Sequence, residues 1–403
     1  MPNPHQRVYY AASVHDEREI EAVVEVLRDD RGLWVGRRVN QMEKRVSALF
    51  AKQSGVMVNS GSSALYLAVE LMGLEPGAEV LIPAVTFSTD IAPVVRAGLI
   101  PSFVDVEADT YCVDPARLEA SITPTTRAIL GANLIGNVPD WDAVREIADR
   151  HGLVVIEDSC DAMAPTLRGR PTGERSHMSL TSFASSHIIT CAGGGGMLML
   201  DDLDMRDRAV LLRRWGRRSE LHFFGSKRRD RTYWEDLDGV PYDNQFIFDE
   251  LGWNFEPSEL GAAFGLVQLD KLEDNRARRR RNFELYSDFF RQHEDRLVLP
   301  RQLPEVDTAW LCYPLTIRAG AGFERGDVQS FLDTKQVDTR TVWTGNAARQ
   351  PMMRGVEWKV PEAGLPCADE IMRAGFVLPC NHGMDDTAVG YVTDCFEELL
   401  GKY

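Results

Sequence analysis

The chain carries a short serine- and glycine-rich segment that could bind a phosphate group. Asn59–Ala64, with the sequence NSGSSA, follows a short predicted strand and begins a helical pattern. Free backbone N–H groups, a flexible glycine and serine hydroxyls at a helix N-terminus favour anions, phosphate among them. A plain serine N-cap without any ligand is the alternative for the same residues. The segment alone does not decide between the two.

Two further features lie at predicted strand ends and could hold a flat, charged ring. Phe87 follows the strand pattern Val80–Ile82 and could stack on an aromatic ring, or it could belong to the core. The apolar run Val154–Ile156 ends directly in Glu157 and Asp158, and open α/β sheets bind ligands at the carboxyl ends of their strands. Asp158 could hold a proton on a ring nitrogen, or it could cap a helix.

A histidine and four glycines follow the next strand pattern. Ser179–Met197 (SLTSFASSHIITCAGGGGM) reads as a strand, a turn at Ala184–Ser186, then His187 and the glycine run. A strand that leads into glycines brings the backbone close to a ligand, and imidazole is a base near neutral pH. Ser182 adds a hydroxyl on this segment. A histidine without a function is the alternative, so the case for His187 depends on the other segments.

Length, charge and cysteine content restrict the class of protein. A chain of 403 residues exceeds one compact core and predicts two domains. The net charge of −16 disfavours binding to nucleic acid or to an anionic membrane, and we find neither a signal-peptide core nor a membrane-spanning apolar run. The seven cysteines are dispersed, without zinc-ligand spacing, which favours free thiols, a cytoplasmic protein and no metal site.

Apolar runs that alternate with helical patterns predict the elements that position these residues. Helical patterns fill most of the gaps between the strands, so we expect an α/β fold with a mixed, mostly parallel sheet covered on both faces. The predicted strands are Val56–Val58, Val80–Ile82, Ser102–Val104, Ala128–Ala132, Val154–Ile156, Leu180–Phe183 and Met197–Leu200.

A smaller α+β pattern follows the helical stretch Ser258–Arg291. We therefore predict a large domain of residues 1–274 and a small C-terminal domain of residues 275–403, with an N-terminal arm of residues 1–30 packing on the small domain. The polar and aromatic stretch His222–Glu250 has few periodic signals and predicts a long loop.

In this order, the segments resemble the sugar aminotransferase family of fold-type I pyridoxal-phosphate enzymes, which act on nucleotide-linked keto sugars. The resemblance extends from about Val35 to about Glu398. It rests on the segments NSGSSAL, PAVTF, IPSFVDVE, ANLIGNVPD, VVIEDSCDA, TSFASSH, LGWNFEPSELGAA and GNAARQP. It implies a fold-type I transferase, with a large domain built on a mixed, mostly parallel sheet and a smaller α+β C-terminal domain.

The resemblance also implies roles for individual residues. Phe87 would stack on the pyridine ring of pyridoxal 5'-phosphate, Asp158 would pair with its nitrogen, and Asp161 would lie beside the ring. Asn254 would reach the phosphate in the neighbouring subunit, which implies a homodimer with shared active sites. The residues that would hold the phosphate within one chain are Gly61, Ser62 and Ser182.

His187 stands where the aminotransferases of this family carry their Schiff-base lysine. A histidine there is similar to the branch that removes the C3 hydroxyl of 4-keto-6-deoxy sugars. Imidazole cannot form the Schiff base, but it can take a proton. The implied enzyme is a 3-dehydratase of deoxysugar biosynthesis, for an antibiotic or a polysaccharide, that works with pyridoxal or pyridoxamine 5'-phosphate. Its substrates would be a nucleotide-activated keto sugar and glutamate.

Two kinds of 3-dehydratase share this histidine. One kind carries an iron–sulfur cluster and receives electrons from a reductase, whereas the other has no cluster and reloads its cofactor from glutamate. The segment RRWGRRSELHFFGSKRR resembles the first kind, but Ser219–Gly252 contains no cysteine to hold a cluster. We therefore expect the glutamate-dependent, cluster-free kind, with a separate reductase as the alternative.

Two residues depart from the family pattern, and two others are candidates for contacts with the substrate. Gly194 stands where the family usually has glutamate, and Glu256 stands where a basic residue often follows. Arg349 and His382 are candidate substrate contacts, and a structural role is the alternative for both.

Two rival functions remain. An aminotransferase could use another lysine, such as Lys227 or Lys335. A catalytically silent relative could bind the cofactor as a regulator or scaffold.

Overall fold

The structure is a computed structural model that describes residues 7–29, 31–228, 230 and 233–403. The α-helices of this part of the chain are α1 (Glu17–Arg28), α2 (Arg37–Leu49), α3 (Gly61–Leu71), α4 (Ala92–Arg96), α5 (Pro115–Ala120), α6 (Trp141–His151), α7 (Leu203–Arg213), α8 (Glu220–Phe223), α9 (Glu259–Asp270), α10 (Leu272–Phe290), α11 (Arg325–Thr334), α12 (Pro366–Ala374) and α13 (Asp386–Leu400).

The strands are β1 (Ser54–Val58), β2 (Glu79–Pro83), β3 (Ile100–Val104), β4 (Thr126–Ala132), β5 (Val154–Asp158), β6 (Thr166–Leu167), β7 (Arg170–Pro171), β8 (Met178–Ser182), β9 (Gly196–Leu200), β10 (Trp234–Leu237), β11 (Val240–Asp243), β12 (Leu297–Val298), β13 (Val306–Asp307), β14 (Cys312–Ile317), β15 (Arg340–Thr341) and β16 (Gly375–Pro379).

A seven-stranded sheet in the order β1-β9-β8-β5-β4-β2-β3 forms the centre of the fold. Strand β9 runs antiparallel to both of its neighbours, and the pairs from β8 to β3 are all parallel. This confirms the predicted mixed, mostly parallel sheet. The seven predicted strands are its seven strands, each placed within two residues at either end. Strands such as β2, β8 and β9 are buried along their whole length, as in sheets covered on both faces.

The parallel pairing of β5 with β8 determines where the site residues lie. Asp158 is the last residue of β5 and pairs in register with Leu180. Ser182 ends β8 two residues further on, and it is followed by the turn that leads to His187. Since parallel strands end at the same edge of a sheet, these side chains come together at that edge.

A second, antiparallel sheet in the order β12-β14-β16-β15 packs on a separate apolar cluster. That cluster includes Phe290 of α10, Phe376 of β16 and Phe396 of α13. Strand β16 was not predicted, although its residues form the apolar run GFVLP. Helix α10 continues without a break from Leu272 to Phe290, across the position where the domain boundary was predicted. The boundary itself stays a prediction.

The described start of the chain contacts residues near the end of α11. The backbone of Val8 pairs with Gln336 and Asp338, at 2.8 and 2.9 Å, and Arg7 Nη2 lies 2.6 Å from Asp333 Oδ1. Residues 1–6 of the predicted arm lie outside the described residues. Helix α1 packs against α9, where the buried Glu19 pairs with Lys271 at 2.6 Å.

The prediction of a long loop over His222–Glu250 is wrong in part. It holds the end of α8 and a hairpin of β10 and β11, whose turn residues Asp238 and Gly239 both have positive φ. Asp-Gly is a strong sequence signal for such a two-residue turn, so this hairpin was recognisable from the sequence. None of the described helices is long and apolar enough to cross a membrane.

Candidate active site

A cavity of about 630 Å³ opens at the carboxyl ends of β2, β4, β5 and β8. The structure brings most of the predicted site residues together in its wall. Those that line it are Gly61, Ser62, Phe87, Asp158, Asp161, Ser182 and His187.

The start of α3 forms an anion-binding corner of this cavity. Ser60 is the N-cap, and its Oγ accepts a hydrogen bond from Ser63 N at 3.1 Å. The N–H groups of Gly61 and Ser62 belong to the first turn, where no carbonyl of the helix is placed to accept a hydrogen bond from them. With the hydroxyls of Ser62 and Ser182 they line the cavity, and the helix dipole favours a negative charge there.

Two glycines allow this corner to form. A Cβ at Gly61 would lie 2.7 Å from Ser182 Cβ, and a Cβ at Gly196 would lie 2.4 Å from the backbone carbonyl carbon of Ser60. The end of the glycine run therefore packs β9 against the start of α3 and does not itself line the cavity. At the departure Gly194, a Cβ would meet only Asn59 O, at 3.7 Å.

Phe87 and Asp158 form two further parts of the wall. The Phe87 side chain remains 53% exposed although it lines a cavity, as expected for an aromatic ring that a flat ligand covers. Asp158 is buried, and its Oδ1 accepts a hydrogen bond from Cys160 N at 2.8 Å, which fixes the orientation of the carboxylate.

Glu157 points away from the cavity, because successive side chains of a strand face opposite sides. It is fully buried and accepts hydrogen bonds from Asn133 Nδ2 and Ser179 Oγ, both at 2.8 Å. Burial raises the pKa of its carboxyl group. Of the two carboxylates that end β5, only Asp158 lines the cavity.

His187 and Asp161 lie side by side in the cavity. His187 Nδ1 is 3.9 Å from Asp161 Oδ1, too far for a hydrogen bond, and is buried without a hydrogen-bond partner in the described part of the chain. Burial lowers the pKa of His187 to about 4, so its imidazole is neutral at pH 7. Burial also raises the pKa of Asp161 to about 7, although its Oδ2 accepts a hydrogen bond from Ile135 N at 2.9 Å.

No lysine lines the cavity within the described residues. Lys227 is exposed, and Lys335 is bound to Glu398 at 2.6 Å. Neither amine suggested for the aminotransferase alternative is therefore placed to react there.

Three predicted site residues lie outside the cavity lining. Asn254 is exposed, and its Oδ1 accepts a hydrogen bond from Glu256 N at 3.4 Å. Arg349 pairs with Asp369 at 2.6 Å. His382 Nδ1 lies 3.2 Å from Arg279 Nε. Burial, and to a smaller extent the positive charge of Arg279, lower the pKa of His382 to about 3.

Several wall residues were not predicted from the sequence. They come from distant segments and include Tyr10, Asp90, Asn133, Arg340, Trp343 and Gln350. Arg340 lies over the ring of Tyr10, 5.5 Å from its centroid. Gln350, which follows the predicted Arg349 in the segment GNAARQP, lines the cavity, whereas Arg349 does not.

Neither Glu256, which departs from the family pattern, nor the cysteines belong to the cavity wall or to a metal site in the described part of the chain, except that Cys160 lines the cavity. Glu256 lies 3.5 Å from Arg214, so the reversed charge at this position is paired. All seven cysteines are free thiols. Within the described residues, no group of three His, Cys, Asp or Glu side chains is arranged to hold a metal ion.

The sequence profile described as the DegT/DnrJ/EryC1/StrS aminotransferase family matches residues 13–397. The chain belongs to this family, which confirms the resemblance seen in its motifs.

Two curated relatives are 3-dehydratases by name. The dTDP-4-dehydro-2,6-dideoxy-D-glucose 3-dehydratase of Saccharopolyspora spinosa is 33% identical over 402 residues, which cover 97% of this chain and 86% of the relative. The GDP-4-keto-6-deoxy-D-mannose 3-dehydratase of Yersinia pseudotuberculosis is 30% identical over 347 residues, which cover 83% of this chain and 84% of the relative.

Two solved structures of GDP-4-keto-6-deoxymannose-3-dehydratase have the same fold. One, a histidine-to-asparagine variant with bound GDP-perosamine, superposes with a TM-score of 0.86 at 25% identity and covers 97% of this chain and 100% of its own. The other holds a trapped geminal diamine of pyridoxal phosphate and glutamate. It superposes with a TM-score of 0.85 at 26% identity and covers 96% of this chain and 99% of its own.

Proposed function

We propose that this protein is a pyridoxal-phosphate-dependent 3-dehydratase that removes the C3 hydroxyl of a nucleotide-linked 4-keto-6-deoxy sugar. The observation that carries the proposal is the position of His187, a neutral imidazole inside a cavity whose described wall contains no lysine. The names of the two curated relatives and the ligands of the two solved structures support it.

The residues present fit pyridoxal phosphate. The first turn of α3, with Ser62 and Ser182, suits its phosphate, and the exposed face of Phe87 suits its ring. Asp158 offers a buried carboxylate to the ring nitrogen. Asp161 would lie beside the ring, next to His187.

The aminated form of the cofactor supplies an amine for the C4 ketone of the sugar and a ring that accepts electrons. His187 acts as the base, since its low pKa keeps the imidazole unprotonated and able to take up a proton. Once protonated, the same imidazole is a general acid that can donate this proton to the departing C3 hydroxyl. The carboxyl group of Asp158, next to the ring nitrogen, would favour the cationic form of the ring.

We assign the renewal of the aminated cofactor to glutamate. Ser219–Gly252 contains no cysteine that could hold an iron–sulfur cluster, and the structure of one relative contains a cofactor–glutamate adduct. A route through glutamate yields 2-oxoglutarate and ammonia and requires no external electrons.

We also propose that the enzyme is a cytoplasmic homodimer. Asn254 is exposed and lies outside the cavity of its own chain, so a role at the phosphate requires a second copy. Large apolar side chains near it are exposed, including Leu251 at 98% and Phe248 at 53%. A contiguous patch of exposed apolar groups is typical of a protein–protein interface. Light scattering should give twice the chain mass, and Asn254→Ala should weaken cofactor binding without changing that mass.

The proposed activity is tested by mass spectrometry of products from a panel of 4-keto-6-deoxy sugar nucleotides, with and without glutamate. We expect loss of the C3 hydroxyl from at least one of them when glutamate is present. Conversion of a substrate to an amino sugar would favour an aminotransferase, and no turnover of any substrate by protein that binds the cofactor would favour a silent regulator or scaffold.

A further inference from the structure

A third carboxyl group lies at the inner wall of the cavity. Asp90 ends a short 3-10 turn, Ser88–Asp90, that follows Phe87. It is 1% exposed. Its Oδ2 accepts a hydrogen bond from the hydroxyl of Thr86, while its Oδ1 is buried and has no partner among the hydrogen bonds of the described chain.

Asp90 lies within hydrogen-bonding reach of the carboxyl group of Asp158. The two residues follow β2 and end β5, which are separated in the sheet by β4 alone. Asp161 and the Cys160 thiol also face Asp90. In the described part of the chain, none of these neighbours is a cation that could stabilise two adjacent negative charges.

We propose that Asp90 is a positioning residue that shares one proton with Asp158, so that the pair presents a single negative charge to the ring nitrogen of the cofactor. The second half of this statement rests on the proposed function, whereas the shared proton does not. Two carboxyl groups in contact cannot both ionise at low cost, and a pair of this kind keeps one proton between them. In agreement, burial and the charge of Asp158 raise the pKa of Asp90 well above its usual value.

The hydrogen bonds of Asp158 show what this proton does. Cys160 N donates a hydrogen bond to Oδ1 of Asp158, and in the proposed arrangement the hydroxyl of protonated Asp90 donates a second one to the same carboxylate. A carboxylate that accepts two fixed hydrogen bonds keeps one orientation, and each bond moderates its charge. The orphaned Oδ1 of Asp90 gains a partner in the same arrangement.

The shared proton is tested first in cofactor-free protein, by infrared difference spectra with carbon-13-labelled aspartate at pH 7. We expect Asp90→Asn to remove the carbonyl stretch of a protonated carboxyl group. The matched control is Asp105→Asn, because Asp105 is equally buried but pairs with Arg117 and accepts hydrogen bonds from Cys367 N and Ala368 N. It should lose only carboxylate stretches. Loss of carboxylate stretches alone in Asp90→Asn would overturn the proposal.

The positioning role is tested by binding of pyridoxamine 5'-phosphate, followed by absorbance. Asp90→Asn should bind within about threefold of the wild-type protein at pH 7, because its amide donates the same hydrogen bond. Asp90→Ala should bind about tenfold more weakly, the loss expected for one hydrogen bond to a charged group. Alkaline pH should change the affinity of the wild-type protein more than that of Asp90→Asn, because the pair loses its proton in the wild-type protein alone, whereas Asp161 titrates in both.

Equal affinity of Asp90→Ala and wild-type protein would overturn the positioning role. If Asp90→Ala does not fold, the difference between the alkaline changes of the wild-type protein and of Asp90→Asn carries the test, and equal changes in both would overturn the proposal. Failure of the wild-type protein to bind the cofactor, with the infrared result as expected, would reject the proposed function and leave the shared proton in place.

Discussion

His187 Nδ1 lies 3.9 Å from Oδ1 of Asp161, and burial shifts the pKa values of the two groups in opposite directions, so that their usual order is reversed. The pKa of the imidazole falls to about 4, and that of the carboxyl group rises to about 7. At pH 7 the base is therefore unprotonated while Asp161 still binds a proton in part of the molecules. An imidazole buried in this way is ready to accept a proton without first losing one.

This pair predicts the pH dependence of the reaction. The rate should fall as His187 becomes protonated, around pH 4, because only the neutral imidazole is a base. A second inflection near pH 7 should report Asp161. Asp161→Asn should remove the inflection near pH 7 and keep the one near pH 4, as measured by kcat against pH. An inflection near pH 7 that persists in Asp161→Asn would show that another group titrates there.

Replacement of His187 should separate its role as a base from its place in the cavity. We expect His187→Asn to lower kcat by about a hundredfold to ten-thousandfold, the usual contribution of a general base. His187→Lys supplies a primary amine that can bind the cofactor covalently and return a proton to the sugar, so some amino-sugar product should appear. Product analysis by mass spectrometry distinguishes the two outcomes. Dehydration at the parent rate by either variant would exclude His187 as the base.

The glycine run allows a matched test of the phosphate-binding corner. A Cβ at Gly196 would overlap the Ser60 backbone at 2.4 Å, whereas a Cβ at Gly194 has its nearest neighbour at 3.7 Å. Gly196→Ala should move the start of α3 and weaken cofactor binding about tenfold or more, since forced overlap costs on the order of 1–3 kcal/mol. Gly194→Ala should bind as the wild-type protein does. Equal binding by both variants, measured by absorbance titration, would mean that this contact does not shape the site.

His382 predicts how stability changes in acid. Burial and the neighbouring Arg279 lower its pKa to about 3 in the folded protein, below the value of about 6.5 for an unfolded chain. The contribution of His382 to the free energy of unfolding is therefore complete above pH 6.5. It is lost as the pH falls towards 3, by about 1.4 kcal/mol per pH unit, because the unfolded chain binds a proton there that the folded protein does not. In urea unfolding, His382→Gln should flatten this loss, whereas His15→Gln, at an exposed site, should not. Equal slopes for His382→Gln and the wild-type protein would contradict the assignment.

The absence of a reactive lysine can be examined chemically. Treatment of the cofactor-bound protein with borohydride should leave no phosphopyridoxyl group on any lysine, because none lines the described cavity. Peptide mapping detects the modification. A labelled Lys227 or Lys335 would show that the catalytic centre has been placed wrongly.

The sequence predicted the position of a site residue correctly where a single strand, helix start or short motif determines that position. The apolar runs of the central sheet, and the polar residues that end them, place Asp158 and Ser182 at one edge because parallel strands end together. The helix start at Gly61 and the lysine-to-histidine replacement at His187 were likewise visible in short motifs.

The remaining wall of the cavity depends on contacts between distant parts of the chain. Tyr10 and Arg340 meet across more than 300 residues, and Asp90 is unremarkable in sequence until the fold brings it to Asp158. The glycines after His187 were expected to approach a ligand, but Gly196 approaches the backbone of Ser60 instead. Periodicity and motifs carry no information about such pairings, which only tertiary packing determines.

The central claim is that His187 drives a self-sufficient, glutamate-dependent dehydration. It is tested most directly by reconstituting the purified protein with pyridoxal phosphate, glutamate and a 4-keto-6-deoxy sugar nucleotide, without any reductase. We predict multiple turnovers that release 3-deoxy sugar, 2-oxoglutarate and ammonia in equal amounts, and none of the three above background with His187→Asn. Turnover that begins only when a reductase and a nicotinamide cofactor are added would contradict the glutamate route, and an amino sugar as the main product would contradict dehydration itself.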